Sequence, residues 1–284
     1  MRLNMEHNVS IRPIEVTEEA LGELHRYLNV VFPKATKFTP DFVKWQYTLN
    51  PLGVMSGYNA WDGNRIVAHF AGLPLTMDLF GKVCKGLLII NVSSDPAYRR
   101  QKLFTRVGEH TIQQAKDTGY DFLIGAANAN SIHTFIKYLG FYLISPLTVK
   151  VGFGAQIYTD KEFNCNRLWD DAQWSWRLQN PANKYLYFKN NILSTPVSFF
   201  AKTLSKAQIN YTADKQLRIK NYAGLRLLNL YIGLGADTSK GFYFKLPSFI
   251  KHSPFNLIFQ DLTGNIPVIK KEDICFQLID FDVI

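Results

Sequence analysis

The segment LLIINVSSDPAYRRQKLFTRVGEHTIQQAKDTGYDFLIGAA, Leu87 to Ala127, limits the possible folds more than any other part of the chain. Its apolar start reads as a buried strand. Leu103, Val107, Thr111, Ile112 and Ala115 then recur at spacings of three and four, the pattern of an amphipathic helix stopped by Gly119. DFLIGAA follows as a second short buried strand. A chain that crosses through a helix between two buried strands needs a sheet with at least one such crossover. Between strand and helix sits the basic turn Arg99-Arg100-Gln101-Lys102. A helix start exposes unpaired backbone N–H groups and the positive end of the dipole, so the turn suits an anion, phosphate above all.

The residues before this segment read as a strand, VSIRPIE, and two helices. The first is capped by Thr17, with Leu21, Leu24, Leu28 and Val31 on one face. The second starts at Thr39 with Pro40 in its first position and is broken by Asn50-Pro51-Leu52-Gly53. Apolar runs about the turn Asp62-Gly63-Asn64 and after Gly81-Lys82 then predict an antiparallel meander. After DFLIGAA, Asn130 to Leu139 reads as a helix with Ile132, Phe135, Ile136 and Leu139 inward, closed by Gly140 before the strand FYLISPLTVKVGF. The expected class is α/β or α+β, with a mixed, mostly antiparallel sheet flanked by helices.

With 284 residues, 47% of them hydrophobic, the chain can bury one large core or two ordinary ones. No run approaches a membrane span, and MRLNMEHNVS lacks the apolar core of a signal peptide, so the expected address is cytoplasmic. Cys84, Cys165 and Cys275 are scattered and make neither a disulfide framework nor a zinc pattern. His7, His25, His110 and His252 show no ligand spacing, so no metal is expected. The formal charge of +9 is spread out, with no stripe for nucleic acid, and fits an anionic small molecule.

The order strand, two helices, three strands, helix, strand, helix, strand resembles the GCN5-related N-acetyltransferase (GNAT) superfamily. So do Asp95-Pro96-Ala97-Tyr98-Arg99-Arg100-Gln101-Lys102-Leu103-Phe104 and, downstream, Asn128-Ala129-Asn130-Ser131 and Lys137-Tyr138-Leu139-Gly140-Phe141. The resemblance implies a GNAT fold that binds acetyl-CoA, with the pyrophosphate on the turn Arg99, Arg100, Gln101, Lys102, Leu103, Phe104 and Thr105. It places the pantetheine arm beside Ile90, Asn91 and Val92, where that strand splays from its neighbour, and adds Asn128 and Ser131 as further cofactor contacts. Lys102 and Phe104 stand where the family prefers glycine. Ile136 stands where it often has the tyrosine that protonates the departing thiolate, with Tyr138 two residues on.

Beyond Phe153, Trp174 to Pro181 echoes Phe42 to Pro51, each a short aromatic helix ending in Asn-Pro about 130 residues apart. YLYFKN, PVSFFAKTL and KAQINY read as a meander, LRLLNLYIGLG as a helix, and FYFKL, FNLIFQDL and CFQLIDFDVI as strands. The expected organisation is an acetyl-CoA-binding domain over residues 1–155 and a reduced GNAT-like domain over 156–284. The second half has no matching phosphate turn and would shape the acceptor side.

The implied activity is direct acetyl transfer from acetyl-CoA to a primary amine of a small molecule, such as a nucleotide-linked amino sugar or an amino-acid-like metabolite. His69, His133 and Tyr138 are the candidate proton-transfer groups, with Asp280, Asp282 and the carboxylate of Ile284 as a further option for the base. The competing readings are a non-catalytic CoA-binding scaffold and a tandem aminoacyl transferase.

Overall fold

A computed structural model of the chain describes residues 8–153, 157–158, 162–188, 192–196, 201–206, 227–237, 241–246 and 255–281. The first half runs β1 (Val9–Pro13), α1 (Glu18–Val31), α2 (Pro40–Thr48), β2 (Ser56–Asp62), β3 (Arg65–Leu79), β4 (Lys82–Ser94), α3 (Leu103–Asp117), β5 (Phe122–Ala127), α4 (Ile132–Tyr138) and β6 (Tyr142–Pro146). It continues through β7 (Thr148–Phe153), β8 (Ile157–Tyr158), β9 (Cys165–Leu168), α5 (Asp171–Leu178), β10 (Leu186–Phe188), β11 (Ile192–Pro196) and β12 (Ala201–Lys206). The last elements are β13 (Leu228–Leu234), β14 (Ala236–Asp237), β15 (Phe242–Lys245), β16 (Asn256–Asp261), β17 (Ile274–Gln277) and α6 (Leu278–Phe281).

Local chemistry sets the helix starts. The Thr17 and Thr39 hydroxyls accept from the N–H groups of Ala20 and Phe42, and Pro40 opens α2 as read from the sequence. Gly119 and Gly140, at φ +77° and +72°, follow α3 and α4. β2, β3 and β4 form the expected meander, and β5 runs parallel to β4 after the α3 crossover. Two apolar layers enclose this sheet. Tyr27, Leu28, Phe42 and Trp45 of α1 and α2 lie in one; Val107 and Ile112 of α3, with Phe135 of α4, lie in the other.

All but two of the described strands join one sheet, with β8 and β14 pairing apart from it. The described elements of the second half have a similar strand order. After α5, the antiparallel strands β10, β11 and β12 lead to β13, which runs parallel to β12 as β5 does to β4. Each half then takes its next strand from the other. β16, from residues 256–261, lies between β5 and β6, while β7, from residues 148–153, lies between β13 and β15. The expected division after residue 155 is therefore not a break in the sheet, because each half's sheet is closed by a strand from across that line.

Two readings need correction. LRLLNLYIGLG is not a helix: Leu228–Leu234 is a strand with β7 along one side and β12 and β17 on the other. Gly233 lies so close to β17 that a Cβ there would meet the Phe276 carbonyl oxygen at 2.5 Å. CFQLIDFDVI is a strand only to Gln277 and then turns into α6. Phe199, Phe200, KAQINY after its first residue, Asp282, Ile284, His7 and His252 lie outside the described residues. Among the described residues no helix is long and apolar enough to cross a membrane.

Candidate active site

The site begins as a mismatch between β3 and β4. His69 faces Ser93 and Ala71 faces Ile90, so one residue on β3 spans two on β4, and Asn91-Val92 forms a β-bulge. Asn91 takes the left-handed conformation, φ +55°, which asparagine tolerates better than most residues. On the other side of β4, pairing with β5 stops at Ile89 and Gly125. Asn91 and Val92 thus have no register partner on either neighbouring strand. The strands part there into a cleft lined by Gln46, Ile90, Asn91, Val92, Ala126 and Phe281.

A buried polar chain supports the bulge from the α1 and α2 side. Asn91 Nδ2 donates to Gln46 Oε1 at 2.6 Å and to the Tyr47 hydroxyl at 3.1 Å. The Tyr47 hydroxyl meets His69 Nε2 at 2.8 Å, and His69 Nδ1 meets Asn59 Oδ1 at 2.6 Å. Because the Asn59 oxygen can only accept, the ring proton sits on Nδ1 and Nε2 accepts from Tyr47. Burial lowers the His69 pKa to about 3, so the ring is neutral near pH 7. Burial likewise raises the Tyr47 and Tyr27 pKa values, keeping both hydroxyls protonated. Ser93 Oγ donates to the Asn91 carbonyl oxygen at 3.3 Å and lies 3.1 Å from the Tyr27 hydroxyl.

Beyond β4 the chain enters a pinned turn with an exposed crest. Asp95 N–H bonds the Val67 carbonyl at 2.9 Å, the Asp95 carboxylate accepts from Ala97 N–H at 2.8 Å, and the Tyr98 hydroxyl donates to Asp62. Arg100 and Lys102 follow at φ +71° and +56°, and Lys102 caps α3 without a side-chain hydrogen bond. Among the described residues no acceptor takes the backbone N–H groups of residues 100–105. These N–H groups lie at a helix N-terminus flanked by exposed basic side chains, the geometry that suits an anion. Phe104 does not obstruct it, since its ring turns inward against Phe70 and Phe135, with centroids 5.7 and 5.6 Å away.

Residues 11–142 match the family model described as an acetyltransferase (GNAT) domain. This stretch is a GNAT domain. No curated protein matches the sequence. Solved structures share the fold over nearly the whole chain. A conserved protein of unknown function from Enterococcus faecalis V583 is 8% identical, with a TM-score of 0.58 over 89% of this chain and 73% of that one. A GCN5-related N-acetyltransferase from Kribbella flavida is 11% identical, with a TM-score of 0.57 over 90% and 73%. A Pyrococcus horikoshii chain of nearly equal extent is 11% identical, with a TM-score of 0.55 over 97% and 95%. The GNAT fold therefore extends past the matched domain into the second half.

The residues expected at the GNAT site fall into three groups. Ile90, Asn91 and Val92 line the cleft, and Arg99, Arg100, Gln101, Lys102, Leu103, Phe104 and Thr105 form the turn and the first helical residues. Asn128 is occupied locally: its Oδ1 accepts from the N–H groups of Asn130 and Ser131 at 2.9 and 3.0 Å, turning the chain into α4. The proton-transfer candidates are not brought together. His69 is buried beneath the bulge with both nitrogens engaged. His133 and Tyr138 lie on the exposed side of α4, ring against ring at 6.2 Å, outside the cleft lining, and Ile136, expected inward, is also exposed.

Asp280 is a pin for α6. Its oxygens accept from Gln277 N–H at 2.7 Å and Trp169 Nε1 at 3.3 Å, and burial raises its pKa. Its neighbour Phe281 reaches the cleft instead. Gln46 and Tyr47 escaped the sequence reading. Both are polar groups on a helix whose other buried residues are Phe42, Val43 and Trp45, and that contrast was the available signal.

Proposed function

We propose that this protein is an acetyl-CoA-dependent N-acetyltransferase that passes the acetyl group directly to a primary amine of a small molecule. Nucleotide-linked amino sugars and amino-acid-like metabolites are the leading acceptor classes. The observation that carries the reading is the continuity of the bulged, splayed end of β4 with the open N–H cradle at residues 100–105. The pyrophosphate sits in the cradle, with Arg99, Arg100 and Lys102 neutralising it. The pantetheine arm lies along Ile90 to Val92, where pairing with β5 has ended, and the thioester reaches the bulge.

There the amine nitrogen bonds to the thioester carbon, and backbone N–H groups of the unpaired strand stabilise the tetrahedral oxyanion. The C–S bond then breaks, CoA leaves as the thiolate, and the proton shed by nitrogen neutralises the sulfur. His69, neutral and doubly bonded, supports this geometry without exchanging a proton with the acceptor. One observation favours the alternative of a CoA-binding protein without turnover: no carboxylate is among the cleft-lining residues described.

Calorimetry with acetyl-CoA tests the binding step. Replacing Arg99 and Arg100 together by alanine should weaken binding by about 1.5–3 kcal/mol per charge-assisted hydrogen bond lost. Unchanged affinity would remove the cradle from the mechanism. An amine panel read by free-thiol release then separates a transferase from a binding protein.

A further inference from the structure

Asn91 is the side chain at the bulge whose orientation the chain controls most completely. Both hydrogens of its amide are engaged inside the protein, one by Gln46 Oε1 and one by the Tyr47 oxygen. Tyr47 can accept because its own hydrogen goes to His69 Nε2, and Nε2 can accept because the ring proton is held on Nδ1 by Asn59. Turning the Asn91 amide over would set its oxygen against the lone pairs of Gln46 and Tyr47. The polar atom that Asn91 has left for the cleft it lines is therefore Oδ1, an acceptor.

We propose, building on the acetyl-transfer reading above, that Asn91 Oδ1 accepts an N–H of the attacking amine and that Tyr47, His69 and Asn59 are positioning residues that hold it in that orientation. A primary amine with one N–H on Oδ1 has its lone pair directed away from Asn91 and free to face the thioester carbon. A nucleophile with no hydrogen to donate would leave Oδ1 unsatisfied. The left-handed backbone at Asn91 has a purpose in this account, since it aims the side chain between β4 and α2 while leaving the main chain along the cleft.

The test uses two CoA derivatives carrying either –CH2–CO–NH–propyl or –CH2–CO–O–propyl on sulfur, which differ only by the N–H at the attacking position. The intact protein should bind the amide about tenfold more tightly than the ester, as one buried neutral hydrogen bond allows. Asn91→Gly, which tolerates the backbone conformation, should bring the ratio to about one, and Tyr47→Phe should reduce it to about two or three. In the Asn91→Gly background, Tyr47→Phe should change the ratio no further, because a residue acting through Asn91 has nothing left to act on.

If Tyr47→Phe loses the native circular dichroism spectrum, Gln46→Leu removes the other anchor and carries the same expectation. Equal binding of the two derivatives by the intact protein, or a Tyr47→Phe effect that persists without Asn91, would overturn the proposal. Failure of both derivatives and of acetyl-CoA itself to bind would instead overturn the acetyl-transfer reading on which it rests.

Discussion

Among the described residues four that are not glycine hold positive φ, and three of them, Asn91, Arg100 and Lys102, lie along the proposed acetyl-CoA track. At Lys102 the left-handed conformation costs roughly 1–2 kcal/mol relative to glycine, while glycine would lose about 0.5–1 kcal/mol more chain entropy on folding. The second offsets only part of the first, so glycine should be no less stable there. Lys102→Gly should therefore leave the fold intact and acetyl-CoA affinity equal or tighter by calorimetry, and a loss beyond tenfold would mean that the lysine ammonium itself grips the phosphate. At His69 the relevant quantity is a proton. The folded ring titrates near pH 3 and the unfolded ring at its ordinary 6.5, so between those values the unfolded chain binds a proton that the folded chain refuses. Stability is fully present above pH 6.5 and falls with acidification by up to about 1.4 kcal/mol per pH unit. Urea unfolding at pH 6.5, 5.5 and 4.5 should show this slope, and His69→Gln, which cannot titrate, should lose that part of it.

The helices α2 and α5 show how sequence repetition becomes contact. Each is capped by a short polar side chain, Thr39 or Asp170, and each ends in Asn-Pro, with the Asn oxygen accepting an N–H two residues on, at 3.1 Å from Leu52 and 2.9 Å from Ala182. Trp45 and Trp176 then stack with centroids 4.6 Å apart, and each indole N–H donates to the other residue's carbonyl, at 2.9 and 3.2 Å. Trp176→Ala should destabilise by about 3–5 kcal/mol, the range for truncating a buried large aromatic. Trp176→Phe, which keeps a ring but loses the donated bond, should cost about 1–2 kcal/mol. A cost below 1 kcal/mol for alanine in urea unfolding would show that the two helices are not coupled through this pair. The caps, the Asp62-Gly63-Asn64 hairpin and the α3 periodicity were legible in the sequence because each is fixed within a few residues. β13 was not. Its leucines fit a helix face as well as a strand, and only pairing with β7, β12 and β17 decides between them. The cleft was legible through the turn that follows it, whereas the polar chain under Asn91 was not, because it joins residues from β2, β3, α2 and β4 with no common sequence pattern.

At the scale of the whole molecule, the exchange of β7 and β16 makes the two halves interdependent. β16 places Leu257, Ile258 and Phe259 fully buried between β5 and β6, so without residues 256–261 both of those strands would have an open edge over an apolar layer. β9 and β17, also from beyond residue 158, cover the outer side of β3 and connect it onward to β13. Open edges beside exposed apolar surface favour association with other chains. We therefore expect a fragment of residues 1–158 to aggregate when expressed alone, even though the matched domain ends at residue 142. The exchange makes a sharper prediction than simple packing would. A fragment of residues 159–284 carries β16 and lacks β7, so each piece holds the strand the other needs. Co-expressed, the two should copurify as a one-to-one complex that binds acetyl-CoA like the intact chain. If residues 1–158 alone were soluble, monomeric and as active on an identified amine as the full chain, β16 would not be required to close the sheet, and the second half would have no part in the acceptor site.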